Sequence, residues 1–361
     1  MKRNIFYLFL FSLIYPFETK AQTEVMPYTP GITSDGITYC LPRTQLQITV
    51  TTTATTYTPG DFCQYAMAYL RLPDVIKETK TEWSLDQIKI ESIGVPDKEK
   101  RFSIKLKKGT SAPLVTLTKD GILLSINQEV EQPKYSKESM EPTTTSDKMN
   151  SRDYMTQEIL AANTMSKMAE LTAEEIYDIR ESKTELTKGE ADYMPKDGEQ
   201  LKLMLNRLDT QEKALLQLFK GTHESVVRNY RFTFDPTSRN EKTILFRFSK
   251  KLGPVDSDNL AGEPVYLHIK DLQTLPQQIN TEDSKFSKKK ELNDIRYNVP
   301  EKANIQIYYQ RQKIYENDFA LGQFGYVEHL GEELFNKKMG THVIFNANTG
   351  ALEKLEAEQP K

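Results

Sequence analysis

Residues 44–51 read Thr-Gln-Leu-Gln-Ile-Thr-Val-Thr and alternate strictly between polar and apolar side chains. Leu46, Ile48 and Val50 would therefore share one face, and the polar residues between them would share the other. A period of two over this length predicts a half-buried β-strand. Residues 51–58 continue the pattern with β-branched and aromatic side chains and a polar outer face. This stretch predicts an antiparallel sheet with one covered face.

The sequence on either side of this strand predicts a complete amino-terminal domain. Further strands are expected at residues 83–93, 101–107 and 114–126. The last contains Asp120-Gly121 between two apolar runs, a specific signal for a tight hairpin. A short helix is expected from Asp61 to about Leu72. We predict that residues 24–127 form a β-rich domain with one short helix.

The middle of the chain contains a polar segment followed by a segment with helical periodicity. Residues 128–150 are rich in Glu, Lys, Pro, Ser and Thr and predict a linker or an exposed loop. Apolar residues then recur at helical spacing, and residues 151–221 predict an antiparallel helical hairpin. A capping-box pattern beginning at Thr172 predicts that one helix ends near Leu171 and another begins there.

The period returns to two after Gly221. Short alternating stretches with Pro- and Gly-bearing turns predict a carboxyl-terminal β domain over residues 222–361, in which residues 277–293 are an exposed loop. The predicted fold class is α+β, with two mostly antiparallel β domains separated by a helical hairpin segment.

The first 21 residues have the layout of a secretory signal peptide. Lys2 and Arg3 precede an apolar run over residues 5–15, and Ala21 ends a small-residue cleavage pattern. The run is too short to span a bilayer. No cysteine follows the predicted cleavage site directly, so lipid anchoring is not expected. The sequence predicts an exported protein in the periplasm or at the cell surface.

The charge balance and the distribution of apolar residues argue against some classes of binding partner. The chain has 361 residues, and 51 acidic residues against 48 basic ones give a formal net charge of −3. This balance lacks the basic footprint of a nucleic-acid-binding protein. No later stretch is long and apolar enough for a transmembrane helix, so none is expected in the mature chain. An envelope protein or a glycan remains as the expected partner.

No motif of nucleophilic, dinucleotide or phosphate chemistry is present, and no histidine has a second His or Cys at zinc-ligand spacing. The sequence predicts no cofactor and no metal site. Acidic residues cluster in the hairpin segment, where the simpler interpretation is a solvated helix face. The alternative is paired-carboxylate glycosidase chemistry. Its candidate catalytic residues are Glu175, Glu181 and Asp192.

Two other groups of residues have competing interpretations. The aromatic residues Tyr308, Tyr309, Tyr315, Phe319, Phe324 and Tyr326 predict either strand packing in the core or a stacking platform for sugars or a protein. Cys40 and Cys63 are the only cysteines. In an exported protein they could form one disulfide or be two small buried side chains.

Several motifs resemble a family of exported Bacteroidetes proteins of unknown function, domain-of-unknown-function family 4831. They span nearly the whole mature chain, and the helical motif is the most specific. The matching stretches are residues 36–44, 57–60, 64–66, 171–182, 189–198, 211–215, 219–221, 323–325 and 348–350. Cys40 and Cys63 stand where the family usually has small residues, so the resemblance implies no shared disulfide. It implies export and architecture, and it supplies no catalytic residue.

The functional expectation follows from these observations together. We expect an exported envelope protein that is not an enzyme and that acts in binding, structure or assembly. The alternative is a carboxylate-based hydrolase acting on glycan.

Overall fold

The computed structural model describes residues 32–33, 36–104, 115–134, 141–195, 197–276, 294–331 and 340–358. The predicted signal peptide and the predicted loop at residues 277–293 lie outside the described residues. The fold is rich in strands that form three antiparallel sheets. One short helix lies between the second and third strands of the chain, and the other helices lie between the sixth and seventh.

The first sheet contains five strands: β1 (Ile32–Thr33), β2 (Gly36–Thr58), β3 (Lys80–Ile104), β6 (Thr143–Ser146) and β7 (Thr222–Phe234). Its centre is β2, which contains the alternating stretch and pairs with β3 along one edge and with β1 and β7 along the other. The predicted strand is therefore confirmed as part of a longer one.

The second sheet packs against the first. Its five strands are β8 (Asn240–Ser249), β9 (Gly253–Val255), β10 (Glu263–Asp271), β11 (Ile295–Tyr309) and β12 (Gln312–Leu330), in the order β12-β11-β10-β8-β9. Leu46, Ile48 and Val50 of the first sheet share a buried core with Leu267 and Ile307 of the second. These two sheets therefore form a sandwich, with the alternating residues of each strand divided between the core and the outside.

The third sheet closes one end of the sandwich. Its strands are β4 (Val115–Leu117), β5 (Leu123–Ile126), β13 (Gly340–Phe345) and β14 (Leu352–Glu358). Gly121 has a φ of 87° in the turn between β4 and β5, which confirms the predicted tight hairpin. Tyr39 and Leu41 of β2 are buried against this sheet together with Ile126 and Val343.

The helices form a layer at the other end of β2. They are α1 (Ala66–Leu70), α2 (Gln157–Ala161), α3 (Met165–Lys188) and α4 (Gly198–Lys220), with short 3-10 turns at Cys63–Tyr65 and Ser151–Tyr154. Phe62 and Phe219 are buried at the centre of this layer with Ile176 of α3. Among the described residues, no helix is long and apolar enough to cross a membrane.

The sheets do not follow the predicted division into two β domains, so that layout is not confirmed. β2, from the first predicted domain, pairs with β7 of the second from Leu46↔Phe234 to Thr58↔Thr222. β5 likewise pairs with β13. The physical reason is that alternation shows which side chains share a face, whereas it does not show which strand pairs with which.

Two local predictions also differ from the structure. Thr143–Ser146, inside the predicted linker, forms β6 and pairs with β7, because four exposed β-branched or small residues extend an existing sheet edge. The predicted break at Leu171 is absent, and α3 runs through it. Thr172 is buried within α3 and donates its hydroxyl to the carbonyl of Met168, so it does not cap a new helix.

Candidate functional site

The outer face of the second sheet combines aromatic rings with polar side chains. On β10, Val265, Leu267 and Ile269 point into the core, so Tyr266 and His268 between them point outward. The same alternation applies to β11, and register places the outward residues of the four strands side by side. We call this surface the polar–aromatic face. Its residues are Lys242, Tyr266, His268, Asn304, Gln306, Tyr308, Lys313, Glu316 and Asp318.

A chain of hydrogen bonds orders this face. The Tyr308 hydroxyl donates to Oε1 of Gln306 at 2.8 Å. Nε2 of Gln306 donates to Oδ1 of Asn304 at 2.7 Å and to Oε1 of Glu316 at 2.8 Å. Nδ2 of Asn304 in turn donates to Oδ1 of Asp318 at 2.6 Å. Each planar side chain is therefore held in one orientation before any ligand arrives.

The charges at the edge of the face are also fixed by neighbours. Hydrogen bonds from Lys313 and Gln306 lower the pKa of Glu316, so its carboxyl group is ionised at neutral pH. Glu316 and Asp318 are both exposed. A carboxylate has about four lone-pair directions. Both acids therefore retain acceptor capacity for groups outside the protein.

His268 lies at the centre of the face. Its ring centroid is 4.7 Å from that of Tyr308 and 6.4 Å from that of Tyr266. Burial, with a smaller contribution from Lys242, lowers the pKa of His268, which keeps the imidazole neutral at pH 7. Its Nε2 atom is buried and has no hydrogen-bond partner among the described residues. An unpaired buried nitrogen carries a desolvation cost, so the polar–aromatic face holds this ring at an energetic expense.

The face is long enough for an extended ligand. Lys242, His268, Gln306 and Glu316 are cross-strand neighbours on four adjacent strands. Three strand spacings cover roughly 14 Å. The row therefore suits a ligand that crosses the strands.

The structure separates the aromatic residues singled out in the sequence. Tyr309, Tyr315, Phe319 and Phe324 pack in the core between the first two sheets. Tyr326 lines a separate cavity of about 660 Å³ beside Glu301 and Arg239. Of that group, Tyr308 alone belongs to the polar–aromatic face.

Sequence reasoning missed Tyr266, His268 and Gln306 as candidate site residues. The signal that could have found them is the alternation of residues 265–269 and 305–309, which places them opposite the apolar positions. Their adjacency needed the register of strands that are far apart in the sequence.

The candidate catalytic acids lie elsewhere and are not brought together on the polar–aromatic face. Glu175 is partly buried on α3 and accepts a hydrogen bond from Gln211 of α4, while Glu181 and Asp192 are exposed. Burial and, secondarily, Asp178 raise the pKa of Glu175. In the part of the chain that the structure describes, none of the three acids lines any of four cavities of about 370 to 660 Å³.

The basic residues near these acids have partners on the other long helix. Arg180 donates from Nε to Glu212 of α4 at 2.6 Å. Lys183 forms ion pairs with Glu212 and with Asp209. These contacts fix the antiparallel packing of α3 on α4, which is a structural role for the charged cluster.

Cys40 and Cys63 are both free. Cys40 lies near the start of β2, and Cys63 follows the end of that 23-residue strand. A strand rises about 3.3 Å per residue, so the two positions lie tens of ångströms apart. A disulfide needs Cα atoms within about 7 Å. The extended strand therefore keeps these two cysteines apart.

The described residues contain no group of three or more His, Cys, Asp or Glu side chains arranged to hold a metal ion.

The architecture defines a class of strand-rich protein, in which antiparallel sheets form a sandwich with a helical layer at one end. Within that class, residues 35–353 match the model of the family described as Domain of unknown function (DUF4831), and the chain belongs to this family. No curated protein and no solved structure matches the chain.

Proposed function

We propose that this chain is an exported envelope protein that binds glycan on the polar–aromatic face without catalysing a reaction on it. The observation that supports this proposal is the ordered network joining Tyr308, Gln306, Asn304 and Glu316 beside the ring of His268.

The chemistry of sugars fits this surface. A sugar ring has hydroxyl groups that both donate and accept, and C–H groups that are apolar. Amide and carboxylate side chains pair with the hydroxyls, and aromatic rings offer apolar area to the C–H groups. Tyr266 and Tyr308 are half-buried, so their rings are already fixed and little side-chain entropy is lost on binding.

A protein partner is a poorer match for this face. Cores of protein–protein interfaces are depleted of charge. Here Lys242, Lys313, Glu316 and Asp318 border the rings and are exposed. Planar polar groups around fixed rings instead favour a ligand that makes many hydrogen bonds.

The alternative proposal is hydrolysis of glycan by Glu175, Glu181 or Asp192. Paired carboxylates in glycosidases are separated by about 5 to 10 Å across a cleft. Glu175 is committed to Gln211, and the other two acids lie on exposed surface. We therefore favour binding over hydrolysis.

Export is the second part of the proposal and rests on the signal-peptide pattern of residues 1–21. Fractionation of native cells followed by amino-terminal sequencing tests it. We expect the mature protein in the periplasmic or surface fraction, without lipid, beginning at Gln22. A cytoplasmic protein that retains Lys2 and Arg3 would contradict export and leave the glycan-binding proposal to its own test.

Binding is tested with a panel of envelope and dietary polysaccharides and the purified mature chain. Titration calorimetry would compare the wild type with Tyr308→Ala and Gln306→Ala. Tyr193→Ala is the matched control, because Tyr193 is 79 % exposed on the helical layer. We expect saturable binding that falls about tenfold or more in the two face variants, which corresponds to about 1.4 kcal/mol.

Three outcomes would overturn the proposal. The first is the absence of binding to every glycan, and the second is equal binding by all variants. The third is release of new reducing ends that is abolished by Glu175→Gln, Glu181→Gln or Asp192→Asn, which would establish the hydrolase instead.

A further inference from the structure

A second concave site lies where the helical layer meets the first sheet. It is a cavity of about 430 Å³ between α4, the end of β2 and the start of β7. Its apolar lining comes from Tyr57, Ile76, Met149 and Leu216. A space of this size accommodates a small organic molecule.

One wall of the cavity is a single face of α4. Lys213, Leu216, Gln217 and Lys220 all line it, and their spacing of three, four and seven residues places them on one side of the helix. Lys213 and Lys220 are exposed, and neither forms an ion pair within 4 Å of another described residue. Lys213 also interacts at longer range with Asp209, one turn earlier on α4. The wall therefore has Leu216 and Gln217 in the middle and an ammonium group near each end.

Gln217 fixes the segment opposite this helix face. Its Oε1 accepts from the backbone N–H of Met149 at 2.9 Å, and its Nε2 donates to the carbonyl of Asp147. The Gln217 side chain therefore hydrogen-bonds the Asp147 carbonyl and the Met149 N–H, as the backbone of a neighbouring strand would. The cavity is consequently bounded by fixed groups on two sides.

An Asp–His pair forms a third side. Oδ1 of Asp147 accepts from the backbone N–H of His223 at 2.8 Å, and its Oδ2 lies 2.7 Å from Nδ1 of the same residue. With Nδ1 donating to the carboxylate, the ring orientation is set. Nε2 of His223 has no hydrogen-bond partner in the described chain, and His223 lines the cavity.

We infer that this cavity binds a small amphipathic organic anion. The apolar body of the ligand would pack on Tyr57, Met149 and Leu216, and its carboxylate or phosphate would bind the ammonium groups of Lys213 and Lys220. Asp147 contributes the one carboxylate of the lining, and it is occupied by His223. The free charges of the lining are therefore positive, which complements an anion.

Octanoate is a suitable probe, with octanol as its neutral counterpart and anionic phosphatidylglycerol vesicles as a membrane source of the same chemistry. Calorimetry on the mature chain would compare the wild type with a Lys213→Gln, Lys220→Gln double variant. The double variant Lys202→Gln, Lys251→Gln is the control, because both of its lysines are exposed away from the cavity and the net charge changes equally.

We expect saturable octanoate binding that weakens about tenfold or more in the Lys213, Lys220 variant and stays unchanged in the control. Met149→Ala is expected to weaken octanoate and octanol alike, because it removes apolar wall. Thermal unfolding of each variant confirms that it is folded.

Absence of octanoate binding to the folded wild type would overturn the inference. Equal binding of octanoate and octanol, equal loss in the control variant, or binding to vesicles alone would overturn it as well. The cavity shares no lining residue with the polar–aromatic face, so none of these results bears on glycan binding.

Discussion

The buried hydroxyl of Tyr39 is hydrogen-bonded twice to one residue, Arg296. It accepts from the Arg296 backbone N–H at 2.8 Å and donates to the Arg296 carbonyl at 3.1 Å. Tyr39 is 1 % exposed. This contact joins β2 to β11 where the third sheet closes the sandwich. One hydroxyl thus pairs with both the N–H and the C=O of Arg296, in the place that a neighbouring strand would otherwise take.

Tyr39→Phe is therefore expected to destabilise the protein. The ring would still fill its place, but the partly buried N–H and C=O of Arg296 would lose their partner, at a cost of about 1 to 3 kcal/mol. Chemical denaturation should show a lower midpoint with an unchanged slope. Tyr193→Phe, at an exposed position, should leave the midpoint unchanged. Equal midpoints for wild type and Tyr39→Phe would show that the bonds contribute no stability.

The same tyrosine predicts a loss of stability in alkali. Burial raises the pKa of Tyr39 well above its usual value of 10, despite the opposing effect of its backbone hydrogen bond to Arg296. Above pH 10 the unfolded chain releases this proton while the folded chain keeps it, so stability falls as pH rises. Denaturation between pH 9 and about 11 should show a steeper decline for the wild type than for Tyr39→Phe. Parallel declines would assign alkaline unfolding to other groups.

Glu301 predicts the opposite dependence in acid. Burial opposes ionisation, but hydrogen bonds from the side chain and amide of Thr274 and the amides of Lys302 and Leu275 together hold the pKa of this carboxyl below its usual value. The stabilisation is present above the unfolded pKa and is lost as pH falls through the folded pKa.

Glu301→Gln should accordingly destabilise the protein at neutral pH by about 1 to 3 kcal/mol and flatten the loss of stability below about pH 5. Unfolding free energies at several pH values would measure both effects. The exposed Glu99→Gln is the control, and a pH profile of Glu301→Gln as steep as that of the wild type would contradict the assignment.

The sequence predicted the type of several elements and which side of a strand is buried, because both follow from the spacing of apolar residues. The alternation of residues 44–51 correctly identified a strand and its buried side, and the helical spacing after residue 197 identified α4. Strand partners could not be predicted, because the pairing of Thr58 with Thr222 depends on contacts across the whole helical segment. The division into domains followed sequence order and missed that pairing.

The candidate site shows the same limit in another way. Periodicity places His268 and Gln306 on the outward sides of two strands, yet their adjacency depends on the register of β10 with β11. Asp147 and His223 are 76 residues apart, and no local motif links them. Contacts between residues so far apart in the chain cannot be predicted from the spacing of residues within a short stretch of sequence.

Cysteine chemistry gives a direct test of the extended β2 strand. Cys40 is buried and Cys63 is only partly buried. We expect two free thiols in unreduced, denatured protein, and one fast-reacting thiol, at Cys63, in the native state. Mass spectrometry after maleimide labelling would count them, with Cys63→Ser as the control that removes the fast reaction. Protein purified without reductant that lacks both thiols would contradict the separation of the two residues.

Gly198 and Gly221 lie at opposite ends of α4, and replacing each by alanine tests whether the helix must approach β2 closely at Gly221. Gly221 has a φ of 87°, and a Cβ there would lie 2.2 Å from the carbonyl oxygen of Thr58. Gly198, the first residue of α4, has open space around the same position. Gly221→Ala is expected to cost more than about 2 kcal/mol through strain and overlap, whereas Gly198→Ala should stabilise the helix by about 0.5 kcal/mol.

Thermal unfolding of the two variants measures this contrast, because the substitution is chemically identical at both sites. A lowered midpoint for Gly221→Ala with an unchanged or raised midpoint for Gly198→Ala shows that the close approach of α4 to β2 is required at Gly221. If both variants unfolded at the wild-type temperature, the backbone contact between Gly221 and Thr58 would not constrain the fold.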